Sequence, residues 1–123
     1  MTVVELLKEK NKIIREELEL DFDLIPESQI MEVEPKYMST QSDMSSCIYC
    51  KHFYDNNCEG CPMDEHGNSC MDDESTYNQA FLTKKLSGKS LSKNPKIKRR
   101  LDELFEVFNE SNGLEEKGRI NHV

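Results

Sequence analysis

Five cysteines fall within 24 consecutive positions, as Cys47-Ile48-Tyr49-Cys50, seven further residues, Cys58-Glu59-Gly60-Cys61, and then Cys70, with His52 and His66 among them. A Cys-x-x-Cys turn points two thiolates at one centre, and two such turns supply the four soft ligands of a tetrahedral zinc ion. The expected Zn2+ ligands are therefore Cys47, Cys50, Cys58 and Cys61, with Cys70 as the reserve donor. Gly60 and Pro62 suit a tight turn at the second pair, and Gly67-Asn68 lets the chain turn back before Cys70. His52 and His66 read as solvent-facing side chains rather than ligands. An iron–sulfur cluster is the alternative metal centre, and disulfides or free thiols the alternative without metal, although the odd cysteine count argues against full pairing.

Over residues 47–61 alone, the paired knuckles resemble the small zinc finger of the Ran-binding type, built from two Cys-x-x-Cys pairs about ten residues apart. The present gap is seven residues and no Trp precedes the first pair, because the chain contains none. That family's RNA binding is accordingly not carried over. A catalytic zinc would need an open position and a general base, as in a His-x-Glu motif, whereas His66 is preceded by Asp64-Glu65. A closed structural site and a non-enzymatic protein are the expectation.

Two further segments carry chemistry in their charge. Lys84, Lys85, Lys89, Lys93, Lys96, Lys98, Arg99 and Arg100 occur with no acid among them. The last four fall in the first turns of a predicted helix while Glu103, Glu106 and Glu110 fall later, the reverse of what the macrodipole favours. An anion at that end would compensate: nucleic-acid phosphate, a partner's carboxylates, or this chain's own acids. Upstream, Leu18, Leu20, Phe22 and Leu24 alternate with Glu17, Glu19, Asp21 and Asp23, the pattern of a strand or of an acidic recognition arm with its apolar side toward a partner. Carboxylates presented where phosphates would lie also fit an inhibitor that mimics nucleic acid.

The elements that must position these residues can be read from caps and periodicity. Thr2-Val3-Val4-Glu5 has capping-box form and opens a predicted helix over about 3–17, with Val3, Leu6, Leu7, Ile14 and Leu18 inward and Lys8, Lys10, Lys12, Arg15 and Glu16 outward. Pro26, Pro35 and the polar run from Ser39 to Ser46 mark a linker. Ser75 is a candidate N-cap for a short helix over about 76–86. Asn94-Pro95 starts a last helix carrying Ile97, Leu101, Leu104, Phe105 and Phe108 on one face and ending near Asn112-Gly113.

Only 36% of the 123 residues are apolar, 33% are charged, and mean hydropathy is −0.74, so a metal staple would offset a thin core. The formal charge of −8 is segregated, with a net −12 over residues 1–74, +8 over 75–101 and −4 over 102–123. The amino end mixes acids and bases with its apolar residues, so no signal segment or bilayer-spanning stretch is expected, and the chain reads as cytoplasmic, in a compartment where thiols stay reduced. The Asn-, Lys- and Ile-containing composition suits a phage or mobile element.

The expected fold class is mostly α with a small irregular or β zinc-binding module. It divides into an N-terminal helix, acidic extended arm and linker (1–46), a four-cysteine zinc knuckle pair (47–74), a basic two-helix segment (75–112) and a flexible tail (113–123). The leading function is a non-enzymatic zinc-stabilised adaptor, regulator or inhibitor docking on a larger protein, with a nucleic-acid-binding module using residues 84–100 as the rival.

Overall fold

A computed structural model describes residues 1–35, 48–53, 57–70, 72, 74–82 and 94–113, with residues 50, 51, 81 and 82 described as backbone alone. It is predominantly helical: α1 (Val3–Leu18), a 3-10 turn (Glu27–Gln29), α2 (Ile48–Phe53), α3 (Pro62–Glu65), α4 (Thr76–Leu82) and α5 (Pro95–Ser111). No β-strand occurs among the described residues. No described helix is long and apolar enough to cross a membrane.

Helix α1 begins as its cap dictates. The Thr2 hydroxyl accepts from the Glu5 amide at 3.1 Å, and the Glu5 carboxylate accepts from the Thr2 amide at 3.0 Å. It stops at Glu19, which adopts the left-handed region (φ 54°), so that the Leu20 amide donates to the Arg15 carbonyl at 3.0 Å and the Glu19 amide to Glu16 at 3.3 Å. This is a Schellman-type closure. Of the two readings of residues 17–24, strand or acidic recognition arm, the strand is absent: Leu18 ends a helix, and the chain reverses before Leu20. Leu18 and Leu24 enter the core and Leu20 and Phe22 pack against its edge, which is why the spacing resembles that of a strand.

The irregular arm after α1 is held by a side chain rather than by a neighbouring strand. Asn11, buried in α1, donates from Nδ2 to the Ile25 carbonyl at 2.7 Å and accepts the Ile25 amide at Oδ1 at 2.9 Å. Both backbone groups of one buried residue are thus satisfied, the condition for running irregular chain across a core. Leu24, Ile25 and Val33 pack inward from this arm.

Helices α1 and α5 pack against each other and run antiparallel. The Met1 ammonium donates to Ser111 Oγ at 3.2 Å at one end, while Arg100 meets Glu16 and Glu17 at the other. Val3, Leu6, Leu7, Ile14 and Leu18 of α1 face Ile97, Leu101, Phe105 and Phe108 of α5 in one cluster, which also takes in Ile48, Tyr49, Cys61, Met63 and Ala80. The cysteine-bearing segment thus shares the core of the helix pair. Lys10 corrects the outward assignment: it is only 3% exposed, with its ammonium 5.9 Å from the centroid of the Phe105 ring.

Candidate metal centre and charged surfaces

Three of the five cysteines have described side chains. Cys61 is buried, and Cys58 and Cys70 are half-buried; Cys47 and the Cys50 side chain lie outside the described residues. The second knuckle is a tight turn. The Cys58 amide donates to the Phe53 carbonyl at 3.0 Å and the Cys61 amide to the Cys58 carbonyl at 3.1 Å. Asn57, Cys58 and Gly60 all have positive φ, at 56°, 66° and 88°. At Gly60 a side chain would be strained by that φ, and its Cβ would meet the Phe53 ring at 3.4 Å. The turn therefore presents Cys58 and Cys61 from one reversal of chain, and Cys61 immediately precedes α3 (Pro62–Glu65), with no capping bond from its side chain.

Polar side chains join this turn to the rest of the protein. Tyr49, fully buried on α2, accepts the Met31 amide at its hydroxyl at 2.6 Å. Asn68 donates to Gln29 Oε1 at 3.0 Å and to Thr76 Oγ1 at 2.8 Å, and accepts from the Thr76 amide at 2.9 Å. Thr76 passes the link on, donating to the Leu24 carbonyl at 3.0 Å. The Asn78 amide group holds the carbonyls of Cys70 and Asp72, at 2.6 and 2.7 Å. Local spacing marks Asn68 only as a turn residue, and its role as a hub has no signature there.

The histidines behave differently. His66 is exposed as expected, with Nδ1 donating to the Pro62 carbonyl at 2.8 Å. His52 is half-buried and stacks edge-on against Phe53, with ring centroids 4.6 Å apart. No three His, Cys, Asp or Glu side chains among the described residues converge on one point, so Cys70 does not join Cys58 and Cys61 in a three-donor group.

No protein family, characterised protein or solved structure matches this chain.

Of the basic stretch, Lys84, Lys85, Lys89 and Lys93 lie outside the described residues. Arg100 donates from Nη2 to Glu16 and from Nη1 to Glu17, both at 3.0 Å. Its pKa is raised, first by the bond to Glu16 and then by that to Glu17, with burial opposing. Lys98 pairs with Asp102 at 3.3 Å on the same helix. Lys96 and Arg99 are exposed. The amides at the start of α5 are already used: Asn94 Oδ1 takes those of Lys96 and Ile97 at 3.1 and 3.2 Å, the Asn94 carbonyl takes that of Lys98 at 2.9 Å, and Pro95 has none. The amide cradle expected for an anion there is closed by the cap.

The acidic arm is likewise partly internal. Leu18 and Leu24 are core residues, 3% and 1% exposed, whereas Leu20 and Phe22 are half-buried at its edge. Four apolar side chains in a row are therefore not presented to a partner. What remains accessible is the edge of Leu20 and Phe22 beside exposed Glu19 and Asp21.

Proposed function

We propose that this chain is a non-enzymatic, zinc-stabilised adaptor, regulator or inhibitor that docks on a larger protein. The observation that carries the metal half of this reading is the turn at Asn57–Cys61, whose left-handed residues and Phe53-packed glycine aim two cysteines from one reversal at the core shared by α1 and α5. With Cys47 and Cys50 they make a four-thiolate set for Zn2+, and Cys70 stands aside with its carbonyl held by Asn78. Such a site supplies folding free energy and holds no open coordination position for a substrate.

The docking half rests on the acidic edge formed by Glu19, Leu20, Asp21 and Phe22, which is half apolar and anionic and so suits a basic, partly apolar surface. Nucleic-acid binding through residues 84–100 draws less support, because Arg100 and Lys98 meet internal carboxylates and Asn94 occupies the first amides of α5. A mimic of nucleic acid is a special case of the docking reading, in which the partner surface is a phosphate channel.

Affinity capture on the zinc-loaded full chain, with and without nuclease, tests the reading. The expected result is a protein retained through nuclease treatment and lost when Leu20 and Phe22 are replaced together by Ser. Retention that disappears with nuclease, and with Lys96→Glu and Arg99→Glu, would replace it by the nucleic-acid reading.

A further inference from the structure

We propose that the cleft between α1 and the arm binds the phosphate group of a small phosphate monoester, an inference independent of the metal. The cleft holds about 230 Å3, with Lys8, Lys12 and Arg15 of α1 on one side and Asp23 and Glu27 of the arm on the other. Spacings of four and three residues place the cations on one helical face, where they repel one another. Arg15 Nη1 lies 2.7 Å from Asp23 and Lys8 Nζ lies 3.5 Å from Glu27. Lys12, between them, has no ion pair among the described residues.

The two ends of the cleft differ in a way that leaves room for a ligand. The Arg15–Asp23 contact is a short hydrogen bond with the Asp23 side chain only 30% exposed, whereas Glu27 is 78% exposed and its contact with Lys8 is long. An incoming anion therefore displaces Glu27 and leaves Asp23 in place. It gains Lys12 and Lys8, together with guanidinium N–H groups of Arg15 beyond the nitrogen committed to Asp23. Three cations call for more charge and more acceptor oxygens than a carboxylate carries, and a phosphate monoester supplies both.

The walls define the rest of the ligand. Asn11 is committed to the Ile25 backbone, so the floor is fixed before anything binds, and Ile30 offers an apolar flank to the carbon end of an ester. The volume falls below the roughly 300 Å3 at which ordinary small-molecule pockets begin, and suffices for a phosphate with a few carbons. Asp23, Glu27 and the chain's charge of −8 oppose any anion, so affinity is low, on the order of millimolar.

Amide chemical-shift titration of the full chain with glycerol 3-phosphate, inorganic phosphate and acetate, at constant ionic strength, tests the site. Glycerol 3-phosphate should give saturable shifts confined to residues 8–15 and 23–30. Lys12→Gln should weaken binding roughly fivefold, while Glu27→Gln, an exposed change that frees Lys8, should tighten it about threefold. Far-UV circular dichroism of both variants should match the parent. Equal shifts around Lys96 and Arg99, or an affinity unchanged in both variants, would mean general screening and overturn the proposal. Acetate binding as tightly would overturn the phosphate assignment, and inorganic phosphate binding as tightly as the ester would overturn the monoester.

Discussion

Asn11 shows how much one amide side chain can decide. By donating to and accepting from the backbone of buried Ile25 it substitutes for the strand that the arm lacks. Asn11→Leu would leave an amide and a carbonyl buried without partners, and should lower unfolding free energy by about 3 kcal/mol, measured by urea denaturation. A loss below about 0.5 kcal/mol would show that water or a shifted arm satisfies both groups. At the start of the same helix, the Thr2 backbone and then its hydroxyl hold the Glu5 carboxylate below its ordinary value of 4.5. A depressed carboxylate contributes stability that is complete above its unfolded value and is lost as pH falls through the lower folded one. Fraying of the first turn of α1 is therefore expected only below pH 4.5, and a Glu5 titration midpoint at or above 4.5 by NMR would contradict it. Asn109 is the opposite case: it is wholly buried on α5, and among the described residues neither of its amide atoms has a hydrogen-bond partner.

At the scale of elements, the misplaced charges of α5 find their reason in α1. Its amino end carries Lys96, Lys98, Arg99 and Arg100, each unfavourable beside the positive end of its own dipole. Glu16 and Glu17 are equally unfavourable at the carboxyl end of α1. Antiparallel packing sets these ends side by side, and Arg100 bridges both carboxylates. Two local penalties thus offset each other in one pairing across the antiparallel helices. Arg100 is about a third exposed, so screening limits its worth. Arg100→Gln should cost about 1 kcal/mol in low salt and less than half of that in 1 M NaCl, read from thermal melts at the two ionic strengths. A salt-independent loss would mean that the stem of Arg100 packs rather than pairs. Boundaries at this scale were largely legible: the Thr2–Glu5 box, the Asn94-Pro95 start and the Gly113 stop come from local chemistry, and both helices begin, and α5 ends, where those signals fall. The end of α1 at Glu19 was not legible, since a non-glycine residue takes the left-handed position that local sequence reserves for glycine.

For the whole molecule, the shared core is what gives a metal its reach. Cys61 and Met63 pack with α1 and α5, Tyr49 grips Met31, and Asn68 ties the cysteine loop to Gln29 and Thr76. On the zinc reading, chelation should therefore release the arm around residues 24–33 as well as the cysteine loop. Hydrogen exchange before and after removal of zinc is the measurement. Loss of protection in both segments is expected, with the α1–α5 pair the last to exchange. Unchanged protection after complete metal removal would sink the staple. Asn68→Ala, by cutting the same links without touching a cysteine, should loosen the arm in the metal-loaded protein and cost about 2 kcal/mol.

The amino-acid sequence by itself determined what depends on neighbours a few positions apart: the helix caps, the apolar stripes of α1 and α5, the tight turn at Gly60, and the pairing of cysteines at knuckle spacing. Only the tertiary structure decided which charges are spent internally, that Leu24 is core while Leu20 and Phe22 lie at its edge, and that Lys10 lies over Phe105 instead of in water. The physical reason is range. Caps and turns close hydrogen bonds within one or two turns of chain, whereas Asn11 with Ile25, Asn68 with Gln29 and Arg100 with Glu16 join residues 14, 39 and 84 positions apart, and no local pattern encodes those meetings.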